Sequence, residues 1–119
     1  MKLIKDYKNI CCKDILKYVF DLNISDLEVY KKLKEVKESR ADELAKKMGK
    51  ERSTIYRSLQ KLASCNLCTK TTMKIKTGGY YHIYSYNYEK EVREDLESCI
   101  DKWYNHIKQI LQDFEKEMK

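Results

Sequence analysis

Arg52, Ser53, Thr54, Tyr56 and Arg57 crowd into one short run of the chain. A guanidinium can grip the O6 and N7 edge of guanine or a phosphate with two hydrogen bonds, and hydroxyls add bonds to bases or backbone, so this set suits the reading of duplex DNA. Through the same run Ile55, Leu59 and Leu62 recur at spacings of 4 and 3. They share one face of a helix expected from Arg52 to Ala63, which leaves Arg52, Ser53, Tyr56, Arg57, Gln60 and Lys61 on the others. A second basic group follows, with Lys74, Lys76 and Thr77 beside Gly78 and Gly79. A flexible cationic tip of this kind can lie along a phosphate backbone.

Five cysteines open a different chemistry. Cys65 and Cys68 have the C-x-x-C spacing of metal ligands, and Cys11, Cys12 and Cys99 could add thiolates to a metal, an iron–sulfur cluster or a redox pair. Against this, only one such spacing is present and His82 and His106 stand singly. Cys11 and Cys99 also fall on apolar stripes, where a small core residue belongs. The expectation is a structural role, with Cys11 and Cys99 buried, Cys65 and Cys68 the more accessible pair, and no metal or other cofactor. Enzymatic chemistry lacks its parts, since Gly49, Gly78 and Gly79 serve as turn punctuation and no G-x-S-x-G or H-E-x-x-H pattern occurs. Tyr80, Tyr81, Tyr84, Tyr86 and Tyr88 could stack on the bases of a single strand. In a short hairpin, however, alternate tyrosines pack on the helices beneath.

These groups need elements to position them. Ser39 and Asp42 have the S-x-x-[DE] capping spacing, which predicts a helix of about 9 residues from near Arg40 to Gly49, where glycine adopts the left-handed end conformation. After the second helix, residues 64–67 read as an exit turn with Asn66 left-handed. Leu67 to Ile75 and Tyr80 to Tyr88 then alternate as two strands of a hairpin closed by residues 76–79. Upstream, Ser25 is expected to cap a helix from Asp26 to about Lys37, with Leu27, Tyr30 and Leu33 facing inward. Ile4, Tyr7, Cys11, Ile15, Tyr18 and Leu22 predict one N-terminal helix with a buried stripe.

Residues 89–119 contain neither glycine nor proline, and Leu96, Cys99, Trp103, Ile107, Ile110 and Phe114 recur at helical spacing, widened by Ile100 and Leu111. A helix over this span, on the order of 45 Å long at 1.5 Å per residue, has more apolar face than one small domain covers. It can pack on the N-terminal helix of its own chain, but pairing with a second copy is favoured because two heads about one DNA turn, ~34 Å, apart match a two-fold operator. The expected coiled-coil-like core interleaves the first and last helices of both copies, consistent with the middle of the chain being poorer in Leu, Ile and Val.

Charge sharpens the division. Residues 39–87 carry ten basic against three acidic side chains, whereas residues 88–119 carry six against nine, within a net charge of +6. The excess sits on the proposed reading head, where it raises phosphate affinity without specifying sequence. No apolar run approaches the ~18 residues of a membrane span. The start, Met1 to Asp6, is too charged for a signal peptide, so a cytoplasmic protein is expected.

The segments "LNISDLEVYKKL" and "SRADELAKKMGKERSTIYRSLQKLASCNL", with the Gly-Gly hairpin, resemble an archaeal winged helix-turn-helix regulator of the TrmB-like or MarR-like kind. The resemblance covers roughly 65 of the 119 residues. It implies a fold and a mode of DNA binding, and no particular operator or small-molecule effector. One departure is Glu51, which stands where the recognition-helix cap of such proteins is commonly Ser or Asp.

The sequence thus predicts a mainly α protein with a small β-hairpin wing, a winged helix-turn-helix with long N- and C-terminal helices. Its expected parts are an N-terminal helix over residues 1–22, a DNA-binding domain over 23–88 and a dimerisation helix over 89–119. The expected partners are double-stranded DNA and a second copy of the chain, with no membrane. Arg52, Ser53, Thr54, Tyr56, Arg57, Lys61, Lys74, Lys76 and Thr77 would meet DNA, and Leu96, Cys99, Trp103, Ile107, Ile110 and Phe114 would form the dimer. The rival readings are a winged-helix interaction module of the transcription machinery and a single-strand nucleic-acid binder.

Overall fold

The computed structural model describes residues 7–119, so Ile4 of the N-terminal stripe and the charged start, Met1 to Asp6, lie outside the described residues. A 3-10 turn at Tyr7–Asn9 precedes α1 (Cys12–Val19). The expected N-terminal helix is therefore interrupted. The Asp14 carboxylate accepts hydrogen bonds from the Cys11 amide at 3.1 Å and the Cys11 thiol at 3.3 Å, which starts a new helix there by satisfying an end amide. α1 buries none of its residues, and among the described residues of the expected stripe only Leu22, beyond its end, is buried.

α2 (Ile24–Val36) begins earlier than Ser25 would set it. Asn23 is the cap: its side-chain oxygen accepts from the Asp26 amide at 2.8 Å, and the Asp26 carboxylate accepts from the Asn23 amide at 3.0 Å. Two end amides are satisfied reciprocally; Ser25 and Glu28 have the same spacing, but Ser25 lies inside the first turn of α2 and Glu28 pairs with Lys50 instead. The chain turns at Lys37, whose φ of 72° lies in the left-handed half of the map, and enters β1 (Glu38–Ser39).

α3 (Ala41–Met48) follows, but the Ser39–Asp42 capping box does not form. Arg40 is the cap residue, and Ser39 is buried in β1, its hydroxyl donating to the Arg40 carbonyl at 2.9 Å. Gly49 closes α3 in the left-handed conformation, at φ 63°. α4 (Arg52–Ser64), β2 (Cys68–Lys74) and β3 (Tyr80–Tyr86) then form the second helix and the hairpin, with Asn66 at φ 60° in the exit turn.

The sheet holds three antiparallel strands in the order β1-β3-β2, one more than the sequence predicts. Glu38 pairs with Ser85 and Ser39 with Tyr84 on one side of β3, while β2 pairs from Cys68 with Tyr86 to Lys74 with Tyr80 on the other. β1 is two residues long and has no local signature, because only its register against β3 makes it a strand.

Val29, Leu33, Leu44, Ile55, Leu59, Leu62, Leu67 and Tyr84 are fully buried. The core of the head thus lies among α2, α3, α4 and β3. α2, α3 and α4 each turn their few aliphatic side chains to one place, and β3 closes it with Tyr84. Few core residues suffice when every one converges.

The chain divides into two compact units, one ending at Tyr86 and the other running Asn87–Lys119. In the second, α5 (Glu89–Gln112) is followed by a single turn, α6 (Phe114–Glu117). The break in the expected continuous helix falls at Asp113, whose amide bonds the Ile110 carbonyl in a tightened turn at 3.1 Å; Asp is a weak helix former because its carboxylate competes for nearby amides. α5 buries none of its residues, and Trp103, Ile110, Leu111 and Phe114 are all more than half exposed. No helix among the described residues is long and apolar enough to cross a membrane.

Candidate nucleic-acid interface

α4 is built as two faces. Ile55, Ser58, Leu59 and Leu62 are buried, whereas Arg52, Ser53, Tyr56 and Arg57 are exposed and Thr54 is half-buried. The aliphatic period of the helix therefore fixes which way the basic and hydroxyl residues point. The turn before it is anchored from behind, since Lys50 of that turn pairs with Glu28 of α2 at 2.8 Å. Glu51 caps α4 by position but makes no side-chain cap hydrogen bond.

The structure sets Lys61 apart from the rest of the basic set. Its ammonium donates to the Asp26 carboxylate at 2.6 Å, and Ser58 donates to the other oxygen of that carboxylate at 2.6 Å. Burial pushes the Asp26 carboxyl up, but hydrogen bonds from Lys61, Ser58 and the Asn23 amide, together with the Lys61 charge, outweigh it and hold the group below its ordinary value. Asp26 and Lys61 thus bolt α4 to α2, and the Lys61 charge is engaged within the scaffold.

At the hairpin, Lys74, Lys76 and Thr77 are exposed. The loop is closed by the Ile75 amide donating to Gly79 and the Gly78 amide to Ile75, both at 3.0 Å. Gly78 and Gly79 stand at φ 104° and 90°, which a side chain would strain.

A groove of about 680 Å³ joins the start of α3, the start of α4 and β3. It brings Arg52, Ser53 and Tyr56 together with Arg40, Tyr80 and Tyr81. Arg40 was not among the sequence candidates. Its guanidinium lies 4.8 Å from the Tyr81 ring centroid and 3.4 Å from the Asp42 carboxylate, so it is held in place beside Arg52. The missed signal was its position just ahead of the first helix of the pair.

The tyrosines divide as well. Tyr84 is buried, and its hydroxyl makes no hydrogen bond; burial, then Tyr56 and Cys68, pushes that phenol above its ordinary value, so it stays protonated. Tyr86 packs on Tyr30 with centroids 5.2 Å apart, while Tyr80 and Tyr88 are exposed.

The thiols reverse the expected order. Cys11, Cys12 and Cys99 are exposed, Cys65 is half-buried and Cys68 is buried. The stripe positions of Cys11 and Cys99 belong to helices that bury nothing, whereas the start of β2 is walled in by the core. Among the described residues no three His, Cys, Asp or Glu side chains converge on a metal-sized space.

This geometry, two helices joined by a glycine turn with a basic hairpin beside them, agrees with the match of residues 16–89 to the family model of the sugar-specific transcriptional regulator TrmB. The chain belongs to the TrmB family. Its likeness extends to an uncharacterized protein of Methanocaldococcus jannaschii, MJ1503, 28% identical over 99 residues that cover 83% of this chain and 75% of that one. Among solved structures, a possible transcriptional regulator of Methanosarcina mazei Go1 shares the fold at a TM-score of 0.69, with 24% identity over 85% of this chain and 86% of that one. TrmBL2, described as an archaeal chromatin protein with a novel mode of DNA binding, shares it at 0.59 and 22% identity. That match takes in 87% of this TrmB-family chain and 36% of TrmBL2.

Proposed function

We propose that this TrmB-family chain is a homodimeric regulator of transcription that binds specific sequences of double-stranded DNA. The observation that carries the reading is the split of α4, with Ile55, Leu59 and Leu62 in the core and Arg52, Ser53, Tyr56 and Arg57 outward. An α-helix fits the major groove, where each base pair presents a distinct set of donors and acceptors. On this reading Arg52 and Arg57 take guanine edges or phosphates, and Ser53, Thr54 and Tyr56 add shorter contacts. Lys74, Lys76 and Thr77 run along the neighbouring backbone, with Arg40 at the rim of the groove. The apolar stripe of Leu96, Cys99, Trp103, Ile107, Ile110 and Phe114, exposed apart from half-buried Leu96 and Ile107, joins two copies, so that two heads meet a two-fold operator with half-sites about one helical turn, ~34 Å, apart.

Selection of DNA fragments by the purified chain should enrich one two-fold sequence; an unenriched pool would favour the interaction module. On the selected site, Arg52→Ala or Arg57→Ala should each weaken binding by roughly 1–3 kcal/mol. Lys76→Ala should act equally on all sequences and lower the salt slope by about one. Titrations at two salt concentrations, with unrelated duplex as control, separate the two classes.

A further inference from the structure

The charge on α5 is divided along its length. From Glu89 to Asp101 it carries six acidic side chains against Lys90 and Arg93, while from Lys102 to Gln112 it carries Lys102, Lys108 and His106 and no acid. At 3.6 residues per turn, Glu97, Asp101 and Lys108 border one edge of the exposed apolar stripe, and Asp95, Lys102 and His106 border the other. The local pairings on this surface are weak: Glu97 meets Arg93 of its own helix at 3.8 Å with both side chains about two-thirds exposed, and Lys108 lies 4.8 Å from the Tyr104 ring centroid.

Building on the homodimer reading above, we propose that two copies of the chain pair through α5 with the helices antiparallel and centred near Trp103. In an antiparallel pair the same edge of each helix adjoins, and the acidic half of one copy lies along the basic half of the other. Lys108 of each copy then stands beside Glu97 and Asp101 of its mate, which is how flanking charges set the orientation of paired helices. A parallel pair would instead run the Glu97 edge along Asp95 and the Lys108 edge along Lys102 and His106, like charge against like. The stripe supports the same centre. Turned about a two-fold axis through Trp103, Leu96 faces Ile110 and Cys99 faces Ile107, so the apolar face covers itself in an isologous contact.

Distances between two nitroxides test the orientation. A nitroxide-bearing unnatural residue placed at Glu91 or at Asn105 of the full chain leaves all five cysteines untouched. In the antiparallel pair the two labels at 105 are offset by only about 6 Å along the axis, and so give the shorter distance, whereas those at 91 are offset by roughly 36 Å at 1.5 Å per residue. Short distances at both positions in a sedimenting dimer would overturn the orientation and leave the homodimer standing. Long distances at both would place the interface elsewhere, and a monomer by sedimentation would overturn the homodimer itself. Lys108→Glu supplies an independent reading at low salt. It should weaken self-association at least tenfold in the antiparallel pair and be rescued by mixing with Glu97→Lys/Asp101→Lys chain; tighter self-association is the parallel outcome and overturns the proposal.

Discussion

Asp26 couples the scaffold to the helix proposed to read DNA, and its chemistry makes that coupling pH-dependent. The carboxylate is 3% exposed and accepts from Ser58, Lys61 and the Asn23 amide, and these bonds hold its pKa below the ordinary carboxylate value in the folded chain. A group depressed in this way contributes its full stability above the unfolded value and loses it as pH falls through the folded one. Urea titrations should therefore show stability level through neutral pH and falling once pH drops below about 4. Asp26→Asn should cost about 1–3 kcal/mol at pH 7, since Ser58 and Lys61 lose their charged acceptor, and its acid slope should be shallower. An equal slope in both proteins would assign the acid sensitivity to other carboxylates. Thiol reactivity follows burial at the same scale. Burial, and then the neighbouring Cys65, pushes the Cys68 thiol up to about 12, so it carries no thiolate near neutrality. Timed alkylation read by mass spectrometry should label Cys11, Cys12 and Cys99 first, Cys65 later and Cys68 only on unfolding; early labelling of Cys68 would contradict its place in the core.

The elements show where local signals suffice and where they compete. Aliphatic spacing located α4, and Gly49, Gly78, Gly79 and Asn66 located the turns, because each depends on a conformation few residues accept. Caps were harder. Ser25 and Ser39 each stand near a helix start with a plausible hydroxyl, yet Asn23 takes the first cap and the pairing of β1 with β3 takes Ser39 from the second. At α4, Glu51 occupies the cap position without a side-chain hydrogen bond, so Glu51→Ser should add about 0.5–1 kcal/mol by supplying one. Removing a carboxylate next to the proposed DNA face should also tighten binding to duplex of any sequence. Thermal melts and titrations on unrelated DNA test the two effects separately. No rise in melting temperature would mean the free amides at the start of α4 are already satisfied by water.

At the scale of the whole molecule, the head contains its own core and α5 buries nothing. A chain ending at Tyr88 should therefore stay folded and sediment as a monomer, while the full chain sediments as a dimer at micromolar concentration. Trp103→Asp or Ile107→Asp in the full chain should give the same monomer, since a charge enclosed in the dimer face would have no partner. The heads would remain folded by circular dichroism, and affinity for a two-fold site would fall toward that of a single head. A full chain that is monomeric from the outset would remove the dimer from the reading.

The sequence by itself determined the order of helices and hairpin from residue 24 onward, the outward face of α4 and the basic wing tip. These are local properties: a period of 3.6 sorts apolar from charged faces, and glycine marks positive φ, whatever the rest of the chain does. Only the tertiary structure decided β1, the Arg40–Tyr81 contact, the inward commitment of Lys61 to Asp26 and the location of the core. Each of these joins residues far apart in sequence, Asp26 with Lys61 or Ser39 with Tyr84. Periodicity shows that a stripe such as that of α1 or α5 is apolar, and the packing of other elements determines whether it is covered.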